Sequence, residues 1–184
     1  MSDCNSHPGY PTGDGTAVDW PPSGAESVVL CIDAPSADYG DAKYVSVNLD
    51  AAVCGVTHGL VAAGQTCGPK RVVVFARVKD PSANTEAIQL GLYISGTWYW
   101  SADKATSSNT VYNEYTEAWL TNPNTGGVWT WAAIESLHMG IKRRALSAPT
   151  GLSAGGLVFF NQLQTYVGAP RCSQLQLIVF CDSQ

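Results

Sequence analysis

Two neighbouring segments confine this chain to β structure. From Arg71 to Lys79 the even positions Val72, Val74, Ala76 and Val78 are apolar, while Arg71, Arg77 and Lys79 fall between them. From Glu86 the pattern returns in Ile88, Leu90, Leu92 and Ile94. A period of two sends successive side chains to opposite faces of a strand, so each segment reads as a strand with one buried face. Gly96 marks a turn or bulge before the aromatic run Trp98, Tyr99 and Trp100. Asn109 to Leu120 alternates between Val111, Asn113, Tyr115 and Glu117 on one side and Tyr112, Glu114, Thr116 and Ala118 on the other, and its polarity places it at an edge or interface. Further strands are read at Leu30 and Ile32, Lys43 to Asn48, Met139 to Arg144, Leu157 to Phe160 and Ser173 to Phe180. About eight strands at irregular spacing joined by long loops, with no internal repeat, predict an all-β, antiparallel sandwich.

Thr121 to Gly140 carries the one helix signal. Asn122-Pro123-Asn124 and Gly126-Gly127 are turn formers, and Thr130 is placed to cap a short helix. Trp131, Ile134, Leu137 and His138 recur at helical spacing, which predicts an inward face with Glu135 toward solvent and Gly140 releasing the chain into a strand. At the N-terminus, residues 1–24 are rich in Gly, Pro, Ser and Asp with few apolar side chains, so they read as an extended arm ordered only against residues 25–184, a single sandwich domain.

Charged residues are only 14% of the 184 and hydrophobic ones 45%. A chain so poor in charge has much of its surface uncharged or covered by neighbours, which favours an assembly component. Its net charge of −5 leaves no basic footprint for nucleic acid. The basic run Lys142, Arg143 and Arg144 reads as a solvated strand end or a subunit-contact charge cluster before a phosphate site. No stretch reaches the ~20 apolar residues of a membrane helix, and the first residues have neither a basic nor an apolar region, so the reading is cytoplasmic synthesis without a signal peptide.

Six cysteines sit awkwardly with that, because cytosolic thiols stay reduced. Cys54 and Cys67, separated by a Gly-rich loop, are the most plausible local disulfide, with two buried thiols as the alternative. Cys172 and Cys181 lie on one strand roughly 30 Å apart and cannot bridge each other. Any bond they form reaches elsewhere, Cys31 being a candidate partner by fold and Cys4, in the arm, the one best placed to cross to another chain.

Catalytic and metal signals fail on context. Gly151-Leu152-Ser153-Ala154-Gly155 matches a nucleophile elbow, but Pro149 and Gly156 flank it where a strand and a helix are required. His7, His58 and His138 are the only imidazoles. Cys54, His58 and Cys67 lack a Cys-x-x-Cys anchor for zinc, and Asp33, Asp38 and Asp41 lack the ligand spacing of a calcium loop. No cofactor is expected and no enzyme is read. The aromatics are a different matter, since Trp98, Tyr99, Trp100 and Trp119 make a glycan platform if they project outward, and core or interface packing if they do not.

Three blocks also carry a resemblance: the segment from Pro11 to Ser46, the segment from Thr121 to Arg144, and the closing strand from Arg171 to Phe180. Their order resembles a small structural-protein family of tailed bacteriophages, over about half the chain. Asn122, Pro123, Thr125, Gly126, Trp129, Thr130 and Gly140 carry the likeness, and none is a group for turnover. The resemblance implies a jelly-roll-like sandwich, a virion location and a non-enzymatic structural role in neck, collar, tail or capsid decoration, with copies of itself and other virion proteins as partners. The alternative is a fibre module that recognises a host-surface glycan. Cys31, Cys172 and Cys181 depart from the family pattern and imply disulfides in a robust particle.

Overall fold

The computed structural model describes residues 6–9, 11–18, 45–46, 51–60, 63, 68–79, 86–106, 113–145 and 171–182. Their eleven strands are β1 (Ser6–Gly9), β2 (Pro11–Val18), β3 (Val45–Ser46), β4 (Val53–His58), β5 (Gly68–Lys79), β6 (Glu86–Ile94), β7 (Thr97–Trp100), β8 (Lys104–Ala105), β9 (Asn113–Trp119), β10 (His138–Ala145) and β11 (Arg171–Asp182). One five-residue helix, α1 (Trp131–Glu135), lies between β9 and β10. The strands read at Leu30 and Ile32 and at Leu157 to Phe160, the loops 33–41 and 147–156, and Cys4, Cys31 and Cys67 lie outside the described residues.

Sheet A runs β1-β11-β5-β9 with β3 also beside β11, and sheet B runs β2-β4-β10-β6-β7 with β8 also beside β6. Every pairing is antiparallel. With β1 against β11, and β4, β10, β6 and β7 forming the opposing sheet, this is the strand order of a jelly-roll sandwich. The segment read as an arm is extended but divided, β1 edging sheet A and β2 edging sheet B. Backbone hydrogen bonds recruit it, and these do not depend on apolar side chains.

The period-two positions are the core. Val72, Val74, Ala76 and Val78 of β5 and Leu177 and Val179 of β11 face Ile88, Leu90, Leu92 and Ile94 of β6 and Met139 and Ile141 of β10. All are almost wholly buried, and burying each large aliphatic side chain contributes about 1.5–3 kcal/mol before entropic costs. At one end of the sandwich Arg143 turns inward, and its guanidinium holds Glu86 through Nε at 2.9 Å and through Nη2. At the edges, Lys104 of sheet B pairs with Glu117 of sheet A at 2.8 Å.

The turn-and-cap reading holds, with a shorter helix. Asn122 is buried; its Oδ1 accepts from Asn124 N at 2.9 Å, its N donates to Gly127 O, and Gly126 takes the left-handed conformation at φ 71°. Thr130 caps α1, its hydroxyl accepting from Ala133 N at 3.2 Å. The helix then stops at Glu135. Ser136 is the C-cap, and its hydroxyl bonds back toward the carbonyls of Ala132 and Ala133. His138 is therefore not on the helix; it opens β10 opposite Tyr93, and Gly140 lies inside that strand. Ile134 and Leu137 are buried as expected, but Trp131 is only partly so. The fully enclosed indole is that of Trp129, whose Nε1 donates to Trp119 O at 2.8 Å.

Candidate functional site

The outward face of sheet B is where chemistry-bearing side chains gather, and strand alternation decides which ones. In β6 the even positions point to the core, leaving Ala87, Gln89, Gly91 and Tyr93 outward. Register then fixes the neighbours: Tyr93 lies opposite Trp98 on β7 and His138 on β10, while Gly91 lies opposite Trp100 and Gly140. Gly140 in turn faces Gly55 of β4, so glycines occupy three adjacent strands at one level.

That bare backbone is the floor for two indoles. A Cβ built at Gly91 would stand 2.4 Å from Trp100 Cε3, and one at Gly140 would stand 2.5 Å from Trp98 Cη2. Only glycine lets the rings approach so closely. Under the rings, Gly91 is buried although it faces outward. A tight turn delivers them: Ser95 and Gly96 connect β6 to β7 at φ 49° and 89°, the double positive-φ geometry that suits a two-residue hairpin.

The rings form a row. His138 and Tyr93 have centroids 5.6 Å apart, Tyr93 and Trp98 are 5.3 Å apart at a tilt of 51°, and Trp98 stacks on Trp100 at 4.5 Å and 15°. Lys142 ends the row, its Nζ 4.4 Å from the Trp100 ring centre. The contact joins a cation to the negative face of the ring quadrupole. Burial lowers the pKa of His138, favouring the neutral imidazole beside Tyr93.

The four aromatics read as a platform are thus separated. Trp98 and Trp100 share the outward face, half-buried. Tyr99 points the other way, packs on the core and donates its hydroxyl to Asn124 Oδ1 at 2.9 Å, tying β7 to the 121–127 turn. Trp119 packs inward from β9 in sheet A. Alternation forces the division, since Tyr99 lies between two outward residues and Trp119 pairs with the inward Val72. Tyr93, His138, Lys142 and the glycine floor complete the site instead, brought together across β6, β7 and β10.

The remaining candidates are structural. Cys54, the second residue of β4, is buried in the core opposite Ile141, and its candidate partner Cys67 lies outside the described residues. Cys172 and Cys181 both lie on β11, as read. His58 uses both ring nitrogens: Nε2 donates to Ile134 O at 2.9 Å while Nδ1 accepts from Leu60 N at 3.1 Å. Burial, above all, holds its pKa below the ordinary value, and a ring so engaged has no lone pair left for zinc. Among the described residues no group of three His, Cys, Asp or Glu is placed to hold a metal ion, and no helix is long and apolar enough to cross a membrane.

No protein-family model matches the chain, and no curated protein is similar to it. Among solved structures it is similar to the CBM22-1 xylan-binding domain of Paenibacillus barcinonensis Xyn10C, at 10% identity and a TM-score of 0.38 over 95% of this chain and 94% of that one. At that distance the likeness carries no argument about function.

Proposed function

We propose that the protein is a non-catalytic recognition module that holds a glycan on the outward face of sheet B. One observation carries the reading: two stacked, partly buried indoles, Trp98 and Trp100, are held on side-chain-free backbone on the outward face of sheet B. A core-packing role would not require them on this face. Sugar rings present weakly positive C–H faces and polar rims; an aromatic surface flanked by hydrogen-bonding groups suits both. Lys142, which rests on Trp100, is a long flexible side chain able to yield to a stacking sugar. In a phage particle such a module serves host-surface recognition.

The second reading, a structural virion component working through protein contacts, is favoured by Leu120 and Val128. These flank the 121–127 turn with 70% and 80% of their surfaces exposed. A glycan array probed with the wild-type chain and with Trp98→Ala and Trp100→Ala separates the two. Binding that disappears in both variants while their melting stays cooperative supports glycan recognition; an empty array together with co-sedimentation in assembled particles supports the structural role.

A further inference from the structure

We infer that the glycan held on sheet B is an acidic one, bearing a carboxylate or sulfate group on its sugars. The inference rests on the glycan reading above and begins with the basic run, which a strand must split. Arg143 turns inward, where Glu86 takes its charge. Lys142 and Arg144 turn outward onto the face that carries Trp98 and Trp100, opposite Gln89 and Ala87 respectively.

The outward positions of β4, β10 and β6 therefore hold two permanent cations and no carboxylate, in a chain whose net charge is −5. Asp103 approaches Arg144 to 3.6 Å, but both side chains are more than a third exposed, so the pair is weak and screened. Lys142 is placed to act on a stacked sugar directly. An ammonium has three N–H donors, so it can rest on the Trp100 ring and still donate to an anionic oxygen.

The test is isothermal titration of the full chain with alginate and polygalacturonate (carboxylate), chondroitin sulfate (sulfate) and dextran and galactan (neutral), at low and high salt, using wild type, Lys142→Gln, Lys142→Arg and Arg144→Gln. A charge-assisted hydrogen bond predicts acidic polymers bound about tenfold tighter than neutral ones at low salt, an advantage that salt removes. Lys142→Gln should erase that preference while unfolding stays cooperative and melting falls by no more than a few degrees, and Lys142→Arg should retain it; the carboxylate and sulfate arms identify the anion. Neutral polymers bound as tightly as acidic ones, or a preference that survives Lys142→Gln, would overturn the inference while leaving glycan recognition intact. Failure of every polymer to bind would remove both.

Discussion

Gly91→Ala offers the sharpest check on the site, because its effect should change sign when one other side chain is removed. The new methyl would lie 2.4 and 2.5 Å from Trp100 Cε3 and Cζ3 and 3.0 Å from Cδ2. Carbon atoms settle at about 3.5–4.0 Å, so the indole must retreat by roughly 1–1.5 Å. Retreat forfeits the stack on Trp98, worth about 0.5–1.5 kcal/mol, and the Lys142 contact, worth about 0.5–1 kcal/mol. Gly91 is not a left-handed residue, so alanine also restricts the unfolded chain, a gain of about 0.4–1 kcal/mol. The net cost is then about 0–2 kcal/mol and centres on about 1 kcal/mol, or roughly 2–4 °C in melting temperature for a domain of this size. In a Trp100→Ala background only the gain remains, and Gly91→Ala should stabilise. Thermal unfolding followed by far-ultraviolet circular dichroism on the four members of the cycle measures this, and the near-ultraviolet signal of the indole pair should weaken in Gly91→Ala alone. Equal destabilisation in both backgrounds would mean that the methyl collides with something other than Trp100, and the ring row as drawn would be wrong.

Three further outcomes are expected. His58 and His138 both have pKa values lowered by burial, so the unfolded chain takes up protons first; their contribution to stability is full above pH ~6.5 and is lost as pH falls below that through the folded values, and His58→Gln should flatten the acid limb of a melting-temperature profile. Glu86→Gln, which leaves the Arg143 charge buried, should cost about 3–5 kcal/mol in urea unfolding, while Glu86→Leu with Arg143→Met recovers most of it; a loss below about 1 kcal/mol would show the pair to be open to water. Buried in the core, a Cys54 thiol should resist maleimide in the native protein and react after denaturation, whereas a mass-spectrometric Cys54–Cys67 peptide from unreduced protein would show the disulfide instead.

The sandwich was legible because alternation needs no knowledge of partners: the even residues of β5 and β6 point inward whichever strands flank them. Helical spacing proved less decisive. Leu137 and His138 fit the period of α1, but Ser136 ends the helix and pairing with Tyr93 draws His138 into β10, so tertiary hydrogen bonding overrode local pattern. Trp98 and Trp100 were visible as candidates, whereas their floor and neighbours were not. The row crosses three strands, and register between strands 40 or more positions apart leaves no local trace. The available signal was Gly91 and Gly140, each lying inside a strand where a missing side chain marks a close approach. Helical spacing pointed to Trp131 as the inward indole, whereas the enclosed one is Trp129, whose N–H reaches Trp119 O.

The place of β11 has a consequence for biosynthesis. It lies between β1 and β5, although it is the last of the described strands to leave the ribosome. Strands β4, β10, β6 and β7 of sheet B are all complete once residue 145 has emerged. Sheet A must instead wait with a gap, the Val72–Phe75 stretch of β5 offering one open edge to any passing strand. Closing that gap joins segments more than 90 residues apart, a slow, non-local step, and in a crowded cell the partially made chain would need its edge shielded until β11 arrives.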